Sequence, residues 1–573
     1  MGRISPNIRE GAKVSVLGPV VGEIIARPLL GELWKTKRLS ATVIQAAPSK
    51  NKNRWVISLD LQPEARIEVA AGHMKFEGFF TNNSDTNQCM NDESEEEGVG
   101  ETDISSDSDR DSDCGQNEDG EAVSLNDANS TLWANKIITI DSRQVSYSYS
   151  STPVVHIGDI TNVMPRQFFE HFMPVDFINS VVIPSTNRCA RECERGWHDL
   201  TWMEFMKFIG ILTIMTYIKC ADICDYWSNK QDTKRILLTF GQYMPHQRFR
   251  KIIKYLKLTD DVSEDNDDPF YFARQFHDAF NENLKMAVSP STYLCIDESM
   301  CQWMGKVDKG PFQQKIPRKP HLIGCEFKTI ADAQVNLLLR LDPVEPPAYI
   351  TKKKFSDQYP PTVASVLRLT EPWFRSGRTI IGDSWFGSID TCTTLYNHGL
   401  YSILQIKKHR YWPKYIPHDI IDALEDAYRS FVSRARSINN VDLTVCSLRD
   451  RKKIVLLASC FTTTLGSEVK RYIKDCSNVT FHRSVLFDEY CEYKSAVDIL
   501  NNLRNNTLSY HDVLVSKCSV DRIFAFYLSI VEANSFFAYC RFVPEKQNIK
   551  HVDFRKQLVR LNFDYYLGIP VAD

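Results

Sequence analysis

One fifty-residue stretch decides how this chain divides. Residues 81–130 are Asp, Glu, Ser and Asn with almost no large apolar side chains. Such a stretch cannot bury enough surface to offset the entropy of ordering its backbone. It therefore reads as a disordered linker with folded units on either side, and the serines of "SSDSDRDSD" are candidate phosphorylation sites. Charge is concentrated here too: residues 92–121 carry fourteen Asp or Glu and one Arg. Without them the net charge of −3 becomes 68 basic against 58 acidic residues, a surplus of ten. The folded remainder is mildly basic, which suits nucleic acid without requiring it. An acidic segment could also cover a basic site, although a solvated linker is the simpler reading.

The linker leaves a small N-terminal module, residues 1–80. "KVSVLGPVVGEII", "SATVIQAAP", "RWVISLDLQ" and "ARIEVAAGHMKF" are short β-rich runs separated by Gly, Pro, Asn and Lys. They resemble small barrels of the Tudor and chromo type, for which chromatin contact would be the implied role; a barrel with no ligand fits equally well. The sixteen cysteines form no dense framework, and the opening "MGRISPNIREGAK" is polar. Ser5 misses the myristoylation pattern, and no apolar run reaches 18 residues. The expectation is an intracellular, reduced protein without a transmembrane helix.

Beyond the linker, residues 131–290 read as helical. "TWMEFMKFIGILTIMTYI" begins with Thr201 and has Glu204 three residues on, which predicts a capping box. "MPHQRFRKIIKYLKL" places Phe249, Ile252, Ile253 and Leu256 on one face, with Arg248, Arg250, Lys251 and Lys254 largely elsewhere. That basic face suits DNA or an ordinary solvated surface. Cys189 and Cys193, with Cys220 and Cys224, form two C-x-x-x-C pairs that would allow zinc, although free Cys is commonly just buried.

From 291 the pattern changes to strands in a strand-rich α/β core, and two of them end oddly. "YLCIDESM" runs an apolar strand into Asp297 and Glu298, and "TIIGDSWFGS" does the same at Asp383. Asp498 lies within the apolar helical stretch "KSAVDILNNL". Carboxylates are rarely buried without a partner. Three brought together would repel, and a divalent cation with a preference for hard oxygen ligands resolves that. A single Asp at a strand end is usually a turn former or a cap, so spacing alone does not separate the readings. Residues 413–480 read as less regular, apart from the strands "LTVCSLRD" and "KIVLLASCF", and helices return after 484.

"IDESM", "PRKPHLIG", "IIGDSWFGS", "LYSILQIKKHRYWP" and "EYKSAVDILNNLR", with "STNRCA", "TWMEFMKFIGIL", "DICDYW" and "MPHQRF" upstream, resemble in order the blocks of the piggyBac transposases and the host proteins derived from them. The resemblance runs from about 160 to 560. It implies a multidomain α/β chain with an RNase H-like catalytic core at 291–412, interrupted by an insertion at 413–483 and completed by a helix at 484–505. A split all-α DNA-binding and dimerisation domain would flank it at 131–290 and 506–573. It further implies a nuclear homodimer cutting and joining double-stranded DNA at TTAA targets, with two Mg²⁺ or Mn²⁺ ions on Asp297, Asp383 and Asp498. Candidate phosphate contacts are Arg248, Lys251, Arg318, Lys319, Lys407, Lys408 and Arg410.

The chain also departs from that pattern. Ser384 replaces the usual Asn, Ser495-Ala496 the usual Gly pair, and Asn501 a further Asp. Glu326 stands where a Lys is usual, which would place negative charge near a DNA phosphate. The Arg-rich segment after Asp498 is thin, and the sequence ends "LNFDYYLGIPVAD" without the family's Cys/His zinc module. These departures favour the alternative of a catalytically silent DNA- or chromatin-binding protein that keeps the fold, whereas the retained Asp triad favours the enzyme.

Overall fold

The computed structural model describes the backbone of five strands between residues 12 and 79. It then describes 133–139, 141, 152–158, 163–228, 239–260, 268–303, 312–316, 323–406, 412, 415–424, 431–450, 452–473, 476–505 and 509–567, with 472, 473, 476–478 and 561–567 as backbone alone. The linker at 81–130 and the candidates Arg318, Lys319, Lys407, Lys408 and Arg410 lie outside the described residues. The chain divides into two compact units, Met1–Gly100 and Glu101–Asp573.

In the first unit, β1 (Ala12–Leu17), β2 (Arg38–Ala46), β3 (Arg54–Leu59), β4 (Gln62–Ala70) and β5 (Met74–Phe79) make one antiparallel sheet in the order β4-β3-β2-β1-β5. Register shifts between Lys13 and Val14, Val43 and Gln45, and Ser58 and Leu59 mark bulges, which bend and twist strands. The strands fall on the β-rich runs of the sequence.

The second unit opens with β6 (Ala134–Asn135) and β7 (Val154–Val155), then the helices α1 (Pro165–Phe172), α2 (Ile183–Cys193), α3 (Trp202–Met215), α4 (His246–Tyr255) and α5 (Tyr271–Ala287). Thr201 Oγ1 accepts from the Glu204 N–H at 3.2 Å and caps α3. The expected reciprocal half of the box is not made. The Glu204 carboxylate instead takes two hydrogen bonds from Arg248, at 2.7 and 2.6 Å, because a paired guanidinium outcompetes one backbone N–H. On α4, Phe249 and Ile252 are buried as expected, and so is Leu256 just beyond it.

The strands follow: β8 (Val288–Ser289), β9 (Tyr293–Gln302), β10 (Gln313–Lys315), β11 (Ile323–Asp332) and β12 (Leu337–Pro343). After α6 (Pro361–Thr370) come β13 (Thr379–Gly382), α7 (Ile389–Asn397) and β14 (Tyr401–Gln405). Then come β15 (Phe431–Ile438), β16 (Val441–Arg449), β17 (Lys453–Ala458), β18 (Leu465–Ile473) and β19 (Cys476–Ser484). The longer helices α8 (Val485–Tyr493), α9 (Ala496–Asn505), α10 (Ser519–Phe542) and α11 (His551–Leu567) come last among the described residues.

One mixed sheet of ten strands organises this unit. β11 pairs antiparallel with both β9 and β12, while β13 pairs parallel with β9 and β14 parallel with β13. The order β12-β11-β9-β13-β14 continues through β17, β16 and β15 to β6. Part of the stretch read as less regular, β15 to β17, therefore extends the same sheet, while β18 and β19 pair with each other as a separate two-stranded sheet. β15 escaped the sequence reading because Arg434 and Arg436 break its apolar alternation, and pairing with β16 is what makes it a strand.

Helices α5 and α10 cover the end of the sheet beside β12. The Asn534 amide accepts from Leu338 N at 2.8 Å and donates to Leu338 O at 2.9 Å. Asn281 makes the same pair of bonds to Leu341, at 2.9 and 3.0 Å. Two side-chain amides thus satisfy backbone groups that a further strand would otherwise pair. Helix α10 is long and apolar enough to cross a bilayer by length and composition, but 83% of its most apolar window is buried inside the protein, where it packs against β9, β12 and α1.

Candidate active site

The meeting of Asp297 and Asp383 follows from register. β13 pairs with β9 from Thr379↔Tyr293 to Ile296↔Gly382, and there the parallel ladder stops. The next residue on each strand is an aspartate. "TIIG" is fully buried and ends against close neighbours: a Cβ on Gly382 would lie 2.9 Å from Ile296 Cγ1, and one on Gly387 only 1.9 Å from Gln405 O. These glycines let the Asp383 loop lie flat on the ends of β9 and β14. Within it, Trp385 N donates to Asp383 Oδ1 at 2.9 Å, while Glu298 N donates to Asp297 Oδ1 at 2.7 Å.

Carboxylate oxygens of Asp297, Glu298 and Asp383 lie within 4.8 Å of one another. Asp297 and Asp383 are half-buried and Glu298 is buried. At that separation like charges repel strongly inside a protein. A counter-charge is built in: Lys328, opposite Glu298 in the β9–β11 register, places Nζ 3.4 Å from Glu298 and 2.7 Å from Glu326. Burial alone would depress the Lys328 ammonium, but the charges of Glu326 and Glu298 outweigh it and hold the group above its ordinary value. Glu326 is itself buried against this lysine, so its negative charge is not displayed to a DNA phosphate as the sequence suggested. Sequence reasoning missed Lys328, two residues along the same strand face from the position where a Lys was expected.

Asp498 sits in the first turn of α9, exposed, and is not among the three converging carboxylates. It is close enough for its charge, with that of Asp297, to add to the burial that pushes the Cys295 thiol up. Small residues bring α9 onto the sheet, with Ala496 and Val497 packed against Cys295 and Ala331. Asn501, which replaces a usual Asp, then fixes the register of α9. Its amide donates to Glu298 O at 2.9 Å and accepts from Ser299 Oγ at 2.9 Å and Arg504 Nη2 at 2.6 Å. A carboxylate could not make the first of these bonds. Arg504 is fully buried over the Phe526 ring, and burial depresses its guanidinium to about 10.

The described basic candidates are both engaged. Arg248 binds Glu204 and lies 4.0 Å from the Trp197 ring centroid, and Lys251 pairs with Glu194 at 2.5 Å. Among the described residues the four cysteines Cys189, Cys193, Cys220 and Cys224 form no group of converging ligand atoms. Cys189 interacts with Cys193, and Cys224 with Asp222.

An α/β chain whose mixed sheet gathers acidic side chains where a parallel ladder ends belongs to a recognisable class, and comparison places it. Residues 164–536 match the profile of a family described as Transposase IS4. The chain belongs to this transposase family and is piggyBac-like within it. It is 28% identical over 173 residues to the Homo sapiens piggyBac transposable element-derived protein 3, covering 30% of this chain and 28% of that protein. The same figure holds for the Homo sapiens chimeric ERCC6-PGBD3 protein, of which 16% is covered. The aligned stretch thus spans less than a third of either curated relative. Among solved structures, the chain is similar in fold to a piggyBac transposase determined by cryo-EM as a synaptic complex with hairpin DNA. The TM-score is 0.55 at 19% identity, covering 73% of this chain and 84% of that one.

Proposed function

We propose that this chain is a DNA strand-cleaving and strand-transferring transposase of the RNase H-like type, dependent on a divalent metal. The observation that carries the reading is the convergence of Asp297, Glu298 and Asp383 at the end of the β9–β13 ladder. The order β12-β11-β9-β13-β14, three antiparallel strands followed by two parallel ones with α9 across them, supports the RNase H-like assignment. The donor set fits the cofactor: all-oxygen, anionic and partly sheltered, as Mg²⁺ or Mn²⁺ prefer.

Asp297, Asp383 and Asp498 would hold two such ions, with Glu298 beside them. Bound there, a divalent ion supplies activation of the attacking oxygen and stabilisation of the leaving 3′-oxygen. The protein's own part is positioning. The ladder end fixes Asp297 against Asp383, Asn501 locks the helix bearing Asp498, and Lys328 offsets part of the acidic repulsion in the fold. DNA at TTAA targets, a homodimer, nuclear residence and chromatin contact through the N-terminal sheet belong to the same reading.

The test is nicking and joining of a TTAA-containing duplex by the purified chain in Mg²⁺ or Mn²⁺, beside Asp383→Ala. Metal-dependent nicking should fall by at least roughly 100-fold in the variant, the scale lost when a group that stabilises charge in the transition state is removed. Salt-sensitive binding without cleavage, unchanged in Asp383→Ala, would leave only the silent DNA-binding alternative.

A further inference from the structure

Trp385 is not used by the mechanism above, yet it stands two residues from Asp383 and is 36% exposed. Its backbone is tied and its ring is held from two directions. The backbone N–H is tied to Asp383 Oδ1, and the ring meets the fully buried Phe386 edge-on, with centroids 4.8 Å apart at 80°. Lys328 Nζ lies 3.5 Å from the Trp385 ring centroid. That ammonium is itself anchored by Glu326 and Glu298, so the ring rests on a fixed charge. Other large exposed apolar side chains, such as Met286 on α5 and Leu465 on β18, have no such bracing described and sit on other elements.

An aromatic ring braced on one face by a cation is pinned. The charge draws π-density toward itself and leaves the opposite face a better partner for an electron-rich ring. Resting on the DNA reading, we propose that Trp385 is a stacking platform for one unpaired nucleobase of the strand whose phosphate lies at the carboxylates. A base inside a duplex has no free face, so the platform favours DNA with a base already out of the stack. Stacking is tolerant of base identity, so the selection is for strand state and not for sequence.

The test uses the full chain in Ca²⁺ in place of Mg²⁺, an oxygen-seeking ion whose looser coordination keeps the phosphate at the carboxylates while disfavouring cleavage. Two duplexes share one TTAA-containing sequence: one is fully paired, the other carries a short unpaired flap bearing 2-aminopurine. The wild type should bind the flapped duplex roughly 10-fold tighter, the scale of one base–aromatic stack, and quench the 2-aminopurine. Trp385→Phe should keep most of both effects. Trp385→Leu should lose both while binding the paired duplex as the wild type does, with thermal melts reporting that each variant is folded. Equal flap preference in wild type and Trp385→Leu overturns the proposal. So does a wild type without flap preference or quenching, even where binding to paired duplex upholds the DNA reading. Binding to neither duplex overturns both.

Discussion

Glu532 lies wholly inside the helical layer, 2.5 Å from His551 Nε2 and 3.1 Å from Arg555 Nη2. Burial alone would push its carboxyl up, but the charges and hydrogen bonds of Arg555 and His551 outweigh that and hold it at about 2. A carboxyl depressed in the fold contributes stability that is present above its unfolded value, near 4.5, and is lost as pH falls toward 2. Glu532→Gln should therefore cost on the order of 3 kcal/mol at pH 7, since it strands buried positive charge, and should flatten the acid limb between about pH 5 and 2. Urea melts at pH 7 and pH 3 check both; equal losses at the two pH values would refute the ion-pair account. At this scale the sequence was half legible. Asp297 and Asp383 announced themselves because each ends an apolar run. Lys328 did not, because its partnership with Glu298 exists only through the β9–β11 register, which no single strand's pattern contains.

Between elements, contact geometry decides what a substitution costs. A Cβ on Gly387 would fall 1.9 Å from Gln405 O, a backbone atom in β14, whereas on Gly382 it would meet the flexible ends of Ile296 and Leu404 at 2.9 and 3.1 Å. Gly387→Ala should destabilise by about 3 kcal/mol or more and Gly382→Ala by about 1 kcal/mol, because side chains give way and a paired strand does not. Thermal denaturation of the two variants checks the order, and a reversed order would mean that the Asp383 loop relaxes freely. The strands around this loop were readable as apolar runs with turn signals, and most helices as periodic ones. The glycines' role was not, since close approach is a property of the neighbour and not of the glycine. β15 was hidden for a related reason: its arginines suit a strand only beside β16 and β6.

Across the whole molecule, the acidic site is a consequence of complete folding. Asp297 and Glu298 come from β9 and Asp383 from the end of β13, with β10 to β12 and α6 between them in sequence, and α9, which packs across β9, comes from beyond β19. No local piece holds the site, so an ion that binds it binds the folded state alone. Mass action then requires stabilisation by RT ln(1 + [L]/Kd), about 1.4 kcal/mol at ten times Kd. Mn²⁺ or Mg²⁺ in that range should raise the melting temperature of the wild-type chain by a few degrees. Asp383→Ala removes one carboxylate and its share of the repulsion. It should melt at or slightly above the metal-free wild type and lose most of the metal-induced rise. Differential scanning calorimetry with and without EDTA reads both quantities. A rise of equal size in the variant would mean that the ion binds elsewhere on the chain, and the carboxylates at the ladder end would then be structural.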